Sequence, residues 1–106
     1  MTAEADLNRF RVKVFNALSD PVRLKILGLL REKERCVCEF VPLLKIAQPL
    51  VSRHLKTLRD YGLVRVSKDG NRRIYSITDS RTFNVIDSVT QDMKNTVSNI
   101  VIKQLT

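Results

Sequence analysis

The stretch from Gln48 to Ile77 constrains the fold of this 106-residue chain more than any other. A basic amphipathic segment, Gln48 to Tyr61, has Pro49 in its first turn and stops at Gly62, which are the start and stop signals of a helix. Two strand-forming runs follow at once, Val64-Arg65-Val66 and Ile74-Tyr75-Ser76-Ile77. Between them Lys68-Asp69-Gly70-Asn71 carries the Asp-Gly signal of a tight reversal, so the spacing predicts a helix feeding directly into a hairpin.

Steps of about 100° per residue gather Leu50, Val51, His54, Leu55 and Leu58 on one side of that helix. The first side belongs in a core, and it takes the lone histidine with it as a packed residue. The other side collects Gln48, Pro49, Ser52, Arg53, Lys56 and Arg59. From Lys45 to Ser76 there are eight Lys and Arg against two Asp. This is where the formal charge of +8 is concentrated, and a polyanion is the natural partner of such a surface. Gln48 can pair bidentately with an adenine and Arg53 with a guanine, each worth about 1 to 3 kcal/mol of discrimination. Ser52 suits bases or phosphates, Lys56 and Arg59 suit backbone phosphates, and Lys68, Asn71, Arg72 and Arg73 place a basic tip beside the helix.

Upstream, Leu7, Phe10, Val14 and Leu18 recur at helical spacing from Ala3 to Leu18. Asp20 caps and Pro21 opens a second helix to about Arg31, apolar around most of its circumference through Leu24, Ile26, Leu27, Leu29 and Leu30. Arg31 to Arg35 reads as a solvated connection. Cys36-Val37-Cys38-Glu39-Phe40 opens a third helical element running through Leu44, and Pro42 leaves its start open between Cys36 and Glu39. Downstream, Asp79 and Ser80 offer caps for one long helix striped by Phe83, Ile86, Val89, Met93, Val97, Ile100 and Val101, more apolar surface than one small core needs. The expected order is four helices, two strands and a helix. It forms a single domain over 1–106, mainly α with a small β-hairpin, and the short helix before the basic one gives it helix-turn-helix geometry.

Several function classes fall away. One core-facing histidine, no Gly-rich phosphate loop and no Cys-x-x-Cys motif leave no set from which to assemble an active site. A protein-docking module stays as an alternative of a different class; its sign would be a neutral or acidic face, where this one is basic. The start Met1-Thr2-Ala3-Glu4-Ala5-Asp6 has no secretory character and no apolar run reaches spanning length, so a cytoplasmic protein without a membrane partner is expected, with Cys36 and Cys38 as thiols.

Ala17-Leu18-Ser19-Asp20-Pro21-Val22-Arg23-Leu24-Lys25-Ile26-Leu27, the Cys36-to-Phe40 piece, Gln48 to Leu58 and Gly62-Leu63-Val64 together resemble the ArsR/SmtB family of metal- and metalloid-responsive repressors. The resemblance covers nearly the whole chain and implies a winged helix-turn-helix homodimer on a double-stranded DNA operator. First and last helices would form the interface, which here means Leu7, Phe10, Val89, Met93, Val97 and Ile100. Cys-Val-Cys is similar to the box of arsenic-sensing members and makes Cys36 and Cys38 candidate ligands for As(III), Sb(III) or another thiophilic ion. Val41 stands where such boxes often carry a third cysteine, and the last helix lacks the histidines of the family's zinc-type site. From the residues alone three roles for the pair remain: inducer ligand, redox switch, or apolar packing under the hairpin. Two cysteines at i and i+2 in a regular helix diverge, so one ion bridges them only where the backbone is irregular or unwinds.

Overall fold

The computed structural model describes residues 2–105. Helix α1 spans Ala3–Leu18, with the Thr2 hydroxyl accepting the Ala5 N–H at 3.1 Å. Helix α2 spans Pro21–Glu32. The Asp20 carboxylate accepts the N–H groups of Val22 and Arg23 at 2.8 and 3.0 Å, and Pro21 takes the first position, where no donor is needed. A two-residue strand β1, Arg35–Cys36, leads into helix α3, Val37–Leu44, which ends on Lys45 in the left-handed region at φ 57°. Helix α4 spans Gln48–Asp60 and stops at Gly62, whose φ of 81° suits glycine.

Strands β2, Val64–Asp69, and β3, Arg72–Ile77, pair antiparallel from Val64↔Ile77 to Asp69↔Arg72. The loop is therefore the two residues Gly70 and Asn71, with positive φ at Gly70 alone, the pattern of a type II′ reversal. β1 joins the other edge of β3 through Arg35↔Tyr75 and Cys36↔Ile74, making a three-stranded sheet in the order β1-β3-β2. The sequence showed two strands. The third is too short to display an alternating pattern.

The core is built from Ala17 of α1, Ile26, Leu27 and Leu30 of α2, Phe40 of α3, Val51, Leu55 and Leu58 of α4, Leu63 just before β2, and Val64 and Tyr75 of the sheet. Helix α4 thus carries an apolar face that ties the helical layer to the sheet, and each large side chain so buried contributes about 1.5 to 3 kcal/mol. Leu50, expected on that face, is 38% exposed because it lies in the first turn of α4, and Leu24 of α2 is exposed as well. Arg35 is no part of a solvated connection. It is 7% exposed and donates from Nε to the Leu29 carbonyl at 3.0 Å and from Nη2 to Glu32 at 2.7 Å.

The single long C-terminal helix is instead two. Helix α5, Arg81–Asp87, packs Phe83 and Ile86 on the core, and helix α6, Gln91–Leu105, follows after a break at which the Thr90 hydroxyl accepts the Met93 N–H at 3.1 Å. Arg31 holds α5 against α2 by two hydrogen bonds to Asp87, at 2.9 and 2.8 Å, with its guanidinium 4.5 Å from the Phe83 ring centroid. No described residue of α6 is buried, and Met93, Val97, Ile100 and Val101 stand half exposed along it.

Candidate nucleic-acid interface and thiol site

Three elements converge on one open groove of about 790 Å³. The β1–α3 junction and α3 contribute Cys36, Val37, Cys38 and Val41, α4 contributes Gln48, Ser52, Lys56 and Arg59, and the hairpin contributes Asn71, Arg72, Arg73 and Tyr75. The structure therefore brings together most of the basic and polar residues singled out in the sequence, and the two cysteines with them. Pro49 and Arg53 lie outside the lining but are exposed on α4, and Lys68 is exposed on β2 opposite Arg73.

The helix-turn-helix is made by α3 and α4, joined through Lys45-Ile46-Ala47. Its orientation is fixed at the far end by a polar cluster on the α1–α2 corner. Arg23 donates from Nε to the Ala17 carbonyl at 2.7 Å and from Nη2 to the Asn16 carbonyl at 3.1 Å, satisfying the end of α1. Its Nη1 lies 3.3 Å from Nδ1 of His54, whose side chain is 13% exposed. A guanidinium only donates, so that contact requires an unprotonated Nδ1. His54 thus ties α4 to α2 from inside. The carboxyl of Asp20 is held below its usual range, chiefly by the Arg23 N–H and also by the Val22 N–H and the charge of Arg23.

At the other end Cys36 is the N-cap of α3, in extended backbone, while Cys38 sits in the first turn. They are not the free thiols expected from the sequence: their Cα atoms are 5.2 Å apart and their sulfurs are joined as a disulfide, a span inside the roughly 4.4 to 6.8 Å that such a bond needs. Sequence left two routes for the sulfurs to meet, irregular backbone or unwinding, and the strand-to-helix junction supplies the first. Pro42 lies inside α3, so the helix begins before it, and its missing N–H leaves the Cys38 carbonyl without an intrahelical donor.

Glu39 closes the arrangement. Its Oε1 accepts the Cys36 N–H at 3.2 Å, and its carboxylate lies 3.5 Å from both Arg35 and Arg72. The Cys36 hydrogen bond, with help from the charges of Lys33, Arg35 and Arg72, holds its pKa below the usual carboxylate range. Neither Glu39 nor Arg35 stood out in the sequence as a site residue. The signal that could have found Glu39 is its place three residues after the cap.

The model of the family described as bacterial regulatory protein, arsR family, matches residues 20–66. An HTH-type transcriptional regulator of Methanocaldococcus jannaschii is 41% identical over 78 residues, covering 73% of this chain and 88% of that protein. The arsenical resistance operon repressor of Staphylococcus aureus is 35% identical over 80 residues, covering 76% and 73%. The chain belongs to the ArsR family. To this ArsR-family regulator the repressor SmtB of Mycobacterium tuberculosis is 39% identical over 74 residues, 70% of this chain but only 55% of SmtB. Among solved structures, reduced HlyU from Vibrio cholerae superposes with a TM-score of 0.73 at 26% identity, covering 84% of this chain and 94% of HlyU. An ArsR-family winged helix-turn-helix regulates transcription and is not an enzyme, which agrees with the failure to assemble catalytic residues from the sequence. Among the described residues no helix is long and apolar enough to cross a membrane.

Proposed function

We propose that two copies of this chain form a repressor that grips operator DNA in the groove between α4 and the hairpin. It lets go when Cys36 and Cys38 take up a thiophilic ion of the As(III) or Sb(III) type. The observation that carries this reading is the shared groove: the cations suited to phosphates and the two sulfurs line the same walls. Gln48, Ser52 and Arg53 read base edges, Lys56 and Arg59 hold phosphates, and Lys68, Asn71, Arg72 and Arg73 reach the neighbouring groove. Leu7, Phe10, Met93, Val97 and Ile100, with Val89 at the break, provide the apolar surface that a second copy covers.

Once a cellular dithiol reductant has opened the disulfide, the two thiolates suit a soft ion, and no third His, Cys, Asp or Glu stands close enough among the described residues to complete a protein-only site. An exchangeable solvent ligand would fill the remaining position. Binding at the Cys36 sulfur takes it from the Cys38 N–H that it now accepts at 3.3 Å, which loosens the start of α3 where it meets α4. The named relation to an arsenical resistance repressor supports the choice of ion.

A second reading is favoured by the joining of the sulfurs: the pair is a reversible disulfide and oxidation is the signal. Fluorescence anisotropy on the chain's own upstream DNA, titrated with arsenite, cadmium and peroxide, tests both. Release by arsenite that Cys36→Ser/Cys38→Ser abolishes supports the ion, and release by peroxide alone supports the disulfide. No DNA binding at all would overturn the proposal.

A further inference from the structure

The two sulfurs are not equivalent. Cys36 is 6% exposed and Cys38 is exposed, so a reagent arriving from solvent meets Cys38 first. Cys38 lies in the first turn of α3, where the positive end of the helix dipole favours a thiolate. It also opens onto a groove lined by Lys56, Arg59, Arg72 and Arg73 and by no carboxylate. Lys56 and Arg72 are steadied by Asp60 at 2.7 Å and Glu39 at 3.5 Å, which lie off that lining. A cleft with one sign of charge concentrates ligands of the other sign.

We propose that Cys38 exchanges selectively with anionic low-mass disulfides, those whose thiol halves carry carboxylates, and that Cys36 is the resolving thiol. This rests on the second reading above, in which the pair responds to oxidation. The Cys38 thiolate attacks one sulfur of the reagent, a mixed disulfide forms, and the other half leaves as a thiolate. The Cys36 thiolate then attacks the Cys38 sulfur and expels the second half. One reagent disulfide is reduced to two thiols, the cysteine pair is oxidised by two electrons, and its two protons pass through solvent to the leaving thiolates. While the mixed disulfide lasts, its carboxylates occupy the place that backbone phosphates would take.

The test uses the reduced full-length chain and the Cys36→Ser variant, whose hydroxyl keeps the helix cap while trapping the adduct at Cys38. Adduct formation is followed by mass spectrometry with oxidised glutathione and with cystamine, each rate divided by that for an uncharged cysteine peptide. Loss of free thiols in the unsubstituted chain provides a readout that needs no variant. The expected result is a normalised preference of about tenfold for oxidised glutathione at low ionic strength. That preference should shrink in about 0.5 M salt and vanish in Lys56→Gln/Arg59→Gln. Equal normalised rates, or a preference indifferent to salt and to those substitutions, overturn the proposal and leave the oxidation reading standing. No adduct with either reagent overturns both.

Discussion

Glu39 lies 3.5 Å from Arg72 while accepting the Cys36 N–H at 3.2 Å, so one carboxylate joins the cysteine pair to the tip of the hairpin. In the proposed complex this ion pair would compete with DNA for Arg72. Glu39→Gln keeps a side chain able to accept the cap hydrogen bond and removes the charge. The expected outcome is a rise in duplex affinity of about two- to fivefold with a stability change below about 1 kcal/mol, because the pair is partly exposed. Anisotropy and thermal melting check the two halves separately.

Among the described residues five carboxylates have lowered pKa values: Asp20 and Glu39 chiefly from backbone N–H groups, Asp60 from Lys56, Asp79 from Arg81 and Asp87 from Arg31. Asp79 falls furthest, to about 2. A depressed folded value means that the unfolded chain binds protons first. The stabilisation is therefore complete above the usual carboxylate range of about 4 and is lost as pH falls toward the folded values. Urea midpoints should be flat from neutral pH to about 5 and then decline steadily, and a midpoint that holds or rises toward pH 3 would contradict this ion-pair account.

Much of this architecture was legible because its signals are local. Asp20-Pro21 marks a helix start, Gly62 a helix stop, and the periodicity of Val51, Leu55 and Leu58 gives the buried face of α4 without reference to anything distant. What was hidden depends on partners far along the chain. β1 exists only because Arg35 and Cys36 meet Tyr75 and Ile74, and Arg35 is buried only because Leu29, Glu32 and Glu39 receive it. The break between α5 and α6 keeps the apolar stripe in phase from Ile86 through Val89 to Met93, so periodicity cannot report it, although Thr90 before Gln91-Asp92 is a cap signal that could have. The groove was legible as two separate lists, basic residues and cysteines. That they share walls follows from how α3 packs against α4 and the sheet.

Leu55 and Leu50 give a paired test of the α4 face. Leu55 is fully buried, so Leu55→Ala should cost about 2 to 5 kcal/mol in chemical denaturation. Leu50→Ala, half exposed in the first turn, should cost below about 1 kcal/mol.

Among the described residues of one copy, none covers the apolar row on α6. Val97→Glu should convert a dimer to a monomer in sedimentation equilibrium with helix content retained, because Val97 makes no core contact to lose. An unchanged mass would place the dimer contact elsewhere.

Whether the α4–hairpin groove carries the DNA is tested most directly by the salt dependence of duplex affinity. Log affinity should fall linearly with log salt, with a slope of about −0.9 for each phosphate neutralised. Arg59→Gln/Arg73→Gln should make that slope shallower by about 2. A slope near zero in the unsubstituted chain, or an unaltered slope in a folded double variant, would contradict the account.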